Sequence, residues 1–265
     1  MGSKQDLCEF SEIEDQQFTQ VAAGWDFSLG IDLHGAVFGC GSNAFGQLGL
    51  DKQVKDVKVF TRLDIKEKVR KIAAGMRHSL FLLEDGTLKV CGSGRKGQLC
   101  MLTNSNIFTL QNVSFEKKVV DIFAGQNFSV LLFSDGSFQA FGDDKHGQVK
   151  QLNDYSMHKD IHLIQLGWTH VIMLLKSGNI EAFGRSDYGQ ISGRDSVEKF
   201  TQVSSGYEHC LAISDKGQLF AWGWNEHGNC GLGHTTDIKV PTKVFDGCVI
   251  KCFAGSGHSF ALVQS

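Results

Sequence analysis

Glycine recurs in this chain at a spacing that leaves few folds open. Gly206, Gly217, Gly223 and Gly228 stand at offsets of 0, 11, 17 and 22. The same spacing holds for Gly24, Gly35, Gly41 and Gly46, and for Gly75, Gly86, Gly92 and Gly97. It holds again for Gly125, Gly136, Gly142 and Gly147, and for Gly167, Gly178, Gly184 and Gly189. A sixth copy opens at Gly255 and is cut short by the end of the sequence. Successive first glycines lie 39 to 51 residues apart, the period of propeller blades.

The residues between the glycines say what each copy builds. Leu29, Leu80, Val130, Ile172, Leu211 and Phe260 occupy one slot, and Ile31, Leu82, Leu132, Leu174, Ile213 and Leu262 the slot two residues on. Apolar residues two apart share one face of a strand. A tight turn follows, as in Asp215-Lys216-Gly217, where glycine supplies the positive φ of a hairpin. A second strand comes next, with Val37, Leu88, Phe138, Ile180 or Leu219 in its first core slot. Short apolar segments at 19–23, 69–74, 119–124, 162–166, 201–205 and 249–254 precede the hairpins, and others at 59–65 and 108–115 follow them. A lone hairpin is marginal in water, so the units must stack. The expected fold is all-β: a propeller of five full blades and a partial sixth, with up to four strands per blade. Gly206 follows Gly189 by only 17 positions, so the fourth unit is expected to lack an outer strand. Residues 19–265 read as one repeat domain, and 1–18 as an N-terminal segment with one outer strand near 7–13.

Composition narrows the function. One Pro against 31 Gly in 265 residues suits tight hairpins rather than a linker. A formal net charge of −3 without a Lys/Arg cluster argues against nucleic-acid binding. No signal peptide opens the chain and no run of eighteen apolar residues occurs, so no membrane insertion is expected and the protein is read as cytoplasmic, with the nucleus as a second compartment. The eight cysteines read as reduced thiols, several of them in core slots. Three residues lie between Cys248 and Cys252 and no second pair completes a zinc site, so no metal is expected.

Two patterns imitate chemistry. Gly92-x-Gly94-x-x-Gly97 matches the dinucleotide fingerprint, but its glycines are repeat positions and no helix follows to hold a pyrophosphate. His78, His170, His209 and His258 share one slot with Phe27 and Phe128. They read as half-buried imidazoles bonding to backbone at a strand start. No paired carboxylates and no Ser-His-Asp arrangement are visible. The chain is read as no enzyme of covalent chemistry, with no cofactor and no small-molecule substrate.

Blade edges are consumed by the scaffold, which leaves the loops to recognise partners. Two loop families vary. One follows the first glycine and offers Trp25, Asp26, Trp168, Tyr207 and Glu208. The other precedes the fourth glycine and offers Asp187, Tyr188, Trp224, Asn225, Glu226 and His227. Trp and Tyr are interface anchors, and the carboxylates would rim them. These eleven residues are the candidate partner-binding face.

Gly75-Met-Arg-His-Ser-Leu-Phe-Leu-Leu-Glu-Asp-Gly86 and Cys40-Gly-Ser-Asn-Ala-Phe-Gly-Gln-Leu-Gly49 resemble the regulator of chromosome condensation repeat, and the resemblance covers nearly the whole chain. Gly24-Trp-Asp-Phe27, Gly167-Trp-Thr-His170, Gly184-Arg-Ser-Asp-Tyr-Gly-Gln190 and Trp222-Gly-Trp-Asn-Glu-His-Gly-Asn-Cys-Gly231 resemble a narrower branch. That branch holds the secretion-regulating guanine nucleotide exchange factors and their fungal relatives, the alpha-tubulin suppressor and killer-toxin-insensitivity proteins. The resemblance implies a seven-bladed ring, of which about one and a half units are expected to be missing at the front. It implies either guanine nucleotide exchange, or binding to a GTPase or exocyst subunit in secretion control. The alternative it implies is an adaptor for a small zinc protein in diphthamide synthesis and tRNA wobble-uridine modification.

Overall fold

A computed structural model describes residues 17–155 and 160–264. The expected outer strand near 7–13 lies outside the described residues. The first sheet holds β1 (Phe18–Ala23), β2 (Phe27–Asp32), β3 (Val37–Ser42) and β4 (Asp56–Arg62). The second holds β5 (Val69–Ala74), β6 (His78–Leu83), β7 (Leu88–Ser93) and β8 (Asn106–Val113). The third has three strands, β9 (Val119–Ala124), β10 (Phe128–Phe133) and β11 (Phe138–Gly142), followed by the helix α1 (Gln148–Asp154). The fourth has β12 (Ile161–Leu166), β13 (His170–Leu175) and β14 (Ile180–Gly184). The fifth has β15 (Phe200–Ser205), β16 (His209–Ser214), β17 (Leu219–Gly223) and β18 (Ile238–Phe245), and the sixth β19 (Val249–Ala254) and β20 (Ser259–Val263). Neighbours within each sheet are antiparallel, and the inner strands β1, β5, β9, β12, β15 and β19 follow one another in contact, so the sheets fan radially about one axis.

The fourth sheet lacks an outer strand, as its short spacer predicts; a 3-10 turn at Ser192–Asp195 lies against β14 in its place. Among the described residues the third sheet has none either, a departure from the expected full blade. There, Asp144 Oδ1 accepts the amides of Val149 and Lys150 at 2.7 and 3.0 Å and starts α1. Asn153 on that helix then pairs with both backbone groups of Ala140, accepting its N–H at 2.7 Å and donating to its C=O at 3.0 Å. One side-chain amide thus does for β11 what a strand would do.

The core lies between the sheets. Leu29, Ile31 and Val37 of the first pack with Ile72, Phe81 and Leu83 of the second. Leu80 and Leu82 of the second pack with Ile122 and Leu131 of the third, and Val130 and Ala140 of the third with Ile164 and Met173 of the fourth. One large cluster joins Ile172 and Ala182, Val203 and Leu211, and Val249 and Cys252 across the last two junctions. Core slots at the two ends of the described arc are exposed. Phe260 holds a slot that is buried in the five preceding hairpins, and Leu262 one that is buried in four of them and half-buried at Leu132, yet they are 58% and 53% exposed. Val21 holds the slot of buried Ile72, Ile122, Ile164, Val203 and Cys252, yet it is 67% exposed.

The shared histidine slot departs from expectation. His78, His170 and His209 are fully buried rather than half-buried, and their partners are side chains of the next sheet rather than backbone. Ser129 Oγ donates to the carbonyl of Gln98 at 2.7 Å and lies 3.0 Å from His78 Nε2. Ser259 Oγ likewise donates to the carbonyl of Asn229 at 2.7 Å and lies 2.9 Å from His209 Nε2. Because each hydroxyl proton is spent on a carbonyl, the imidazole must donate through Nε2–H. Nδ1 is then bare, and it has no partner in any of the three. Each ring lies over its own first glycine: a Cβ on Gly75 would sit 2.1 Å from His78 Cε1, and one on Gly24 2.0 Å from Phe27 Cε1. The first glycine of every copy makes room for this ring.

Candidate functional site

One end of the axis carries the loops that follow the first glycines. Their backbones are tied in sequence around it. The amide of Met76 donates to Gln126 C=O at 3.1 Å, that of Gln126 to Trp168 C=O at 3.1 Å, that of Trp168 to Tyr207 C=O at 2.9 Å, and that of Tyr207 to Gly255 C=O at 3.2 Å. This belt brings the variable side chains of separate sheets together over the axis. Trp168 and Tyr207 stack with centroids 3.8 Å apart, and Trp25, from the first sheet, reaches across to stack on them at 5.0 and 5.9 Å.

The second loop family builds the wall. Asn225 is buried and holds its loop in shape: Nδ2 donates to the carbonyls of His234 and Thr236 at 2.8 and 2.9 Å, and Oδ1 accepts the amide of Cys230 at 2.8 Å. Its neighbours project from that frame. Trp224 and His227 meet edge to face at 4.9 Å, and Trp224 Nε1 donates to Glu226 Oε2 at 3.3 Å. In the fourth sheet the Arg185 guanidinium lies 4.6 Å over the Tyr188 ring and pairs with Asp187 at 2.8 Å, and its hydrogen bond holds the Asp187 carboxyl below the usual carboxylate range.

Trp25, Trp168, Tyr188, Tyr207, Glu208, Trp224, Glu226 and His227 line one cleft of about 600 Å³. Glu208 forms part of its floor. It is buried, with Oε2 accepting from Gln190 Nε2 at 2.6 Å, Oε1 accepting from Thr169 Oγ1 at 2.9 Å, and Arg185 Nη1 at 3.5 Å. Three of the eleven proposed residues stand outside the lining. Asp26 accepts from Gln47 Nε2 at 3.2 Å beside it, Asp187 is turned to Arg185, and Asn225 is enclosed in its loop and offers no surface to a partner. The cleft adds Gln126, Asp143, Lys145, His146, Thr169, Arg185, Ser256 and Gly257. Lys145 and His146 were legible as members of the same loop family, and Arg185 as a guanidinium two residues before Asp187. Ser256 and Gly257 carry no signal in the sequence beyond their slot.

Glu208 is an acceptor held by three donors, Thr169, Gln190 and Arg185. Among the described residues no group of His, Cys, Asp and Glu could hold a metal ion, and no helix is long and apolar enough to cross a membrane.

Comparison with known proteins agrees with this architecture. The family described as the RCC1-like domain matches residues 4–261. The secretion-regulating guanine nucleotide exchange factor of Bos taurus is 31% identical over 300 residues, which cover 92% of this chain and 64% of that protein. The chain thus spans slightly less than two thirds of that relative. Among solved structures, Prp20p of Saccharomyces cerevisiae superposes with a TM-score of 0.82 at 21% identity, over 94% of this chain and 70% of its own. Human WBSCR16 superposes with a TM-score of 0.79 at 22% identity, over 94% and 73%.

Proposed function

This chain belongs to the RCC1-like domain family, and on that premise we propose that it is a protein-binding propeller whose rim cleft engages a small GTPase or an exocyst component in the cytoplasm. The observation that carries the reading is the convergence of Trp25, Trp168, Tyr207, Trp224, Tyr188 and His227 from three sheets into one cleft that the blade cores do not need. Rigid aromatic side chains ringed by charge are the composition of interface hot spots. The named relative of Bos taurus supports the GTPase direction. Nucleotide exchange requires no covalent group; a partner that binds the nucleotide-free GTPase better than the loaded form shifts its population.

The test uses the purified chain with purified small GTPases, exocyst subunits and small zinc proteins, read by calorimetry and by release of a fluorescent guanine nucleotide. Replacing Trp224 and His227 together by alanine is expected to weaken binding by tenfold or more, about 1.4 kcal/mol or above, with the thermal midpoint retained. Unchanged affinity would overturn the cleft as the binding face. Binding to the zinc protein alone would replace the GTPase reading by the adaptor.

A further inference from the structure

The residue just before each fourth glycine stands at a junction between neighbouring sheets, and two junctions already show what it can hold. At the first, Phe45 carries the guanidinium of Arg77, reached from the second sheet, 4.2 Å above its ring. At the fourth, Tyr188 carries Arg185 at 4.6 Å, with Asp187 and Glu208 supplying the negative charge. At the fifth the same position is His227, edge to face with the larger ring of Trp224 and beside the carboxylate of Glu226.

Among the described residues no cation fills that junction. Arg77 is the second residue after its first glycine; the residue in that slot of the sixth sheet is Gly257, which has no side chain to offer. Gly257 faces the cleft, and a Cβ placed on it would stand 3.6 Å from His227 Cδ2 and 3.8 Å from Trp224 Cζ3, ordinary contact distances with no positive φ to strain a substitution. Among the described residues no lysine or arginine lies over Trp224 or pairs with Glu226, whose carboxylate accepts only the indole N–H. An aromatic face, an uncompensated carboxylate and an open notch stand together where the first and fourth junctions hold arginine.

We propose that the notch between Trp224, His227, Glu226 and Gly257 is an arginine receptor: it takes the guanidinium of an arginine presented by the partner protein. The ring faces attract the cation, Glu226 pairs with it, and the missing side chain at position 257 provides the space. This rests on the rim-cleft reading and gives the partner a chemical requirement.

The test titrates the full chain with the capped tripeptide acetyl-Gly-Arg-Gly-amide and with its citrulline counterpart, which keeps the shape and loses the charge. The readout is the indole N–H resonance of Trp224, assigned by its disappearance in Trp224→Phe. The arginine peptide is expected to shift this resonance in a saturable manner and the citrulline peptide to leave it in place. Glu226→Gln should weaken the response about five- to tenfold. Gly257→Arg should abolish it by filling the notch from within, as Arg77 fills its own, at an unchanged thermal midpoint. An equal response to citrulline, or a response that survives Gly257→Arg, overturns the proposal. The same variants are then measured against the protein partner. If the Trp224/His227 pair matters and Gly257→Arg does not, the arginine receptor falls and the rim reading stands. If neither matters, the rim reading falls as well.

Discussion

His78 and His209 donate through Nε2–H to a serine of the adjacent sheet, His170 meets Cys210 and Ser205 through Nε2, and Nδ1 has no partner in any of the three. Burial pushes the pKa of His78 and His170 down from 6.5 to about 3 and that of His209 to about 4. Above pH 6.5 the folded and unfolded imidazoles are both neutral, and nothing is lost. Below it the unfolded chain takes up protons that the folded sites refuse, so stability falls as pH drops from 6.5 towards 3, by about 1.4 kcal/mol per pH unit for each ring. Urea unfolding at pH 7 and pH 5.5 should show this loss. His78→Phe, which copies the Phe128 found in the same slot, should remove one ring's share of the slope; an unaltered slope would refute the neutral-imidazole assignment. The equivalence of these histidines with Phe27 and Phe128 was legible in the glycine register. Their full burial was not, because the hydroxyl that His78 meets lies 51 residues away on the next sheet.

At the scale of the element, the hairpins were readable because period-two apolar slots and a glycine turn are local signals. The missing fourth strand of the fourth sheet followed from spacer length alone. Helix α1 was not read from the sequence, although residues 148–154 contain a single β-branched side chain, Val149, and follow Asp144, whose carboxylate accepts two amides of the first turn. Its Asn153 satisfies a backbone that would otherwise form an open edge on β11. Asn153→Ala is expected to cost about 1–2 kcal/mol by unpairing both groups of Ala140. The Ala140 amide should also exchange faster with solvent. No change in either measurement would show that water takes over both bonds at no cost. The candidate face was legible to the extent that loops vary while the scaffold repeats. Asn225 misled because its slot is exposed in chain order but its amide is consumed inside its own loop.

Over the whole molecule, one slot has two fates according to whether another sheet lies beyond it. Leu211 is buried at a junction and Phe260 faces solvent at the end of the arc. Leu211→Ala should cost about 2–5 kcal/mol and Phe260→Ala well under 1, measured by thermal or urea unfolding. Comparable losses would mean that the sixth sheet is covered in solution. Val21, Phe260 and Leu262, at the two ends of the described sheets, are exposed in slots that are otherwise buried in most of the sheets between them.

The belt of hydrogen bonds that joins Met76, Gln126, Trp168, Tyr207 and Gly255 has a consequence for recognition. Each rim amide in the belt is already committed to a neighbouring loop, so no single loop can bend to suit a visitor without breaking faith with the next. Such a surface arrives at an encounter in its final form and surrenders little freedom on docking. Diversity among proteins built this way must therefore be written in side chains hung on an unyielding hoop.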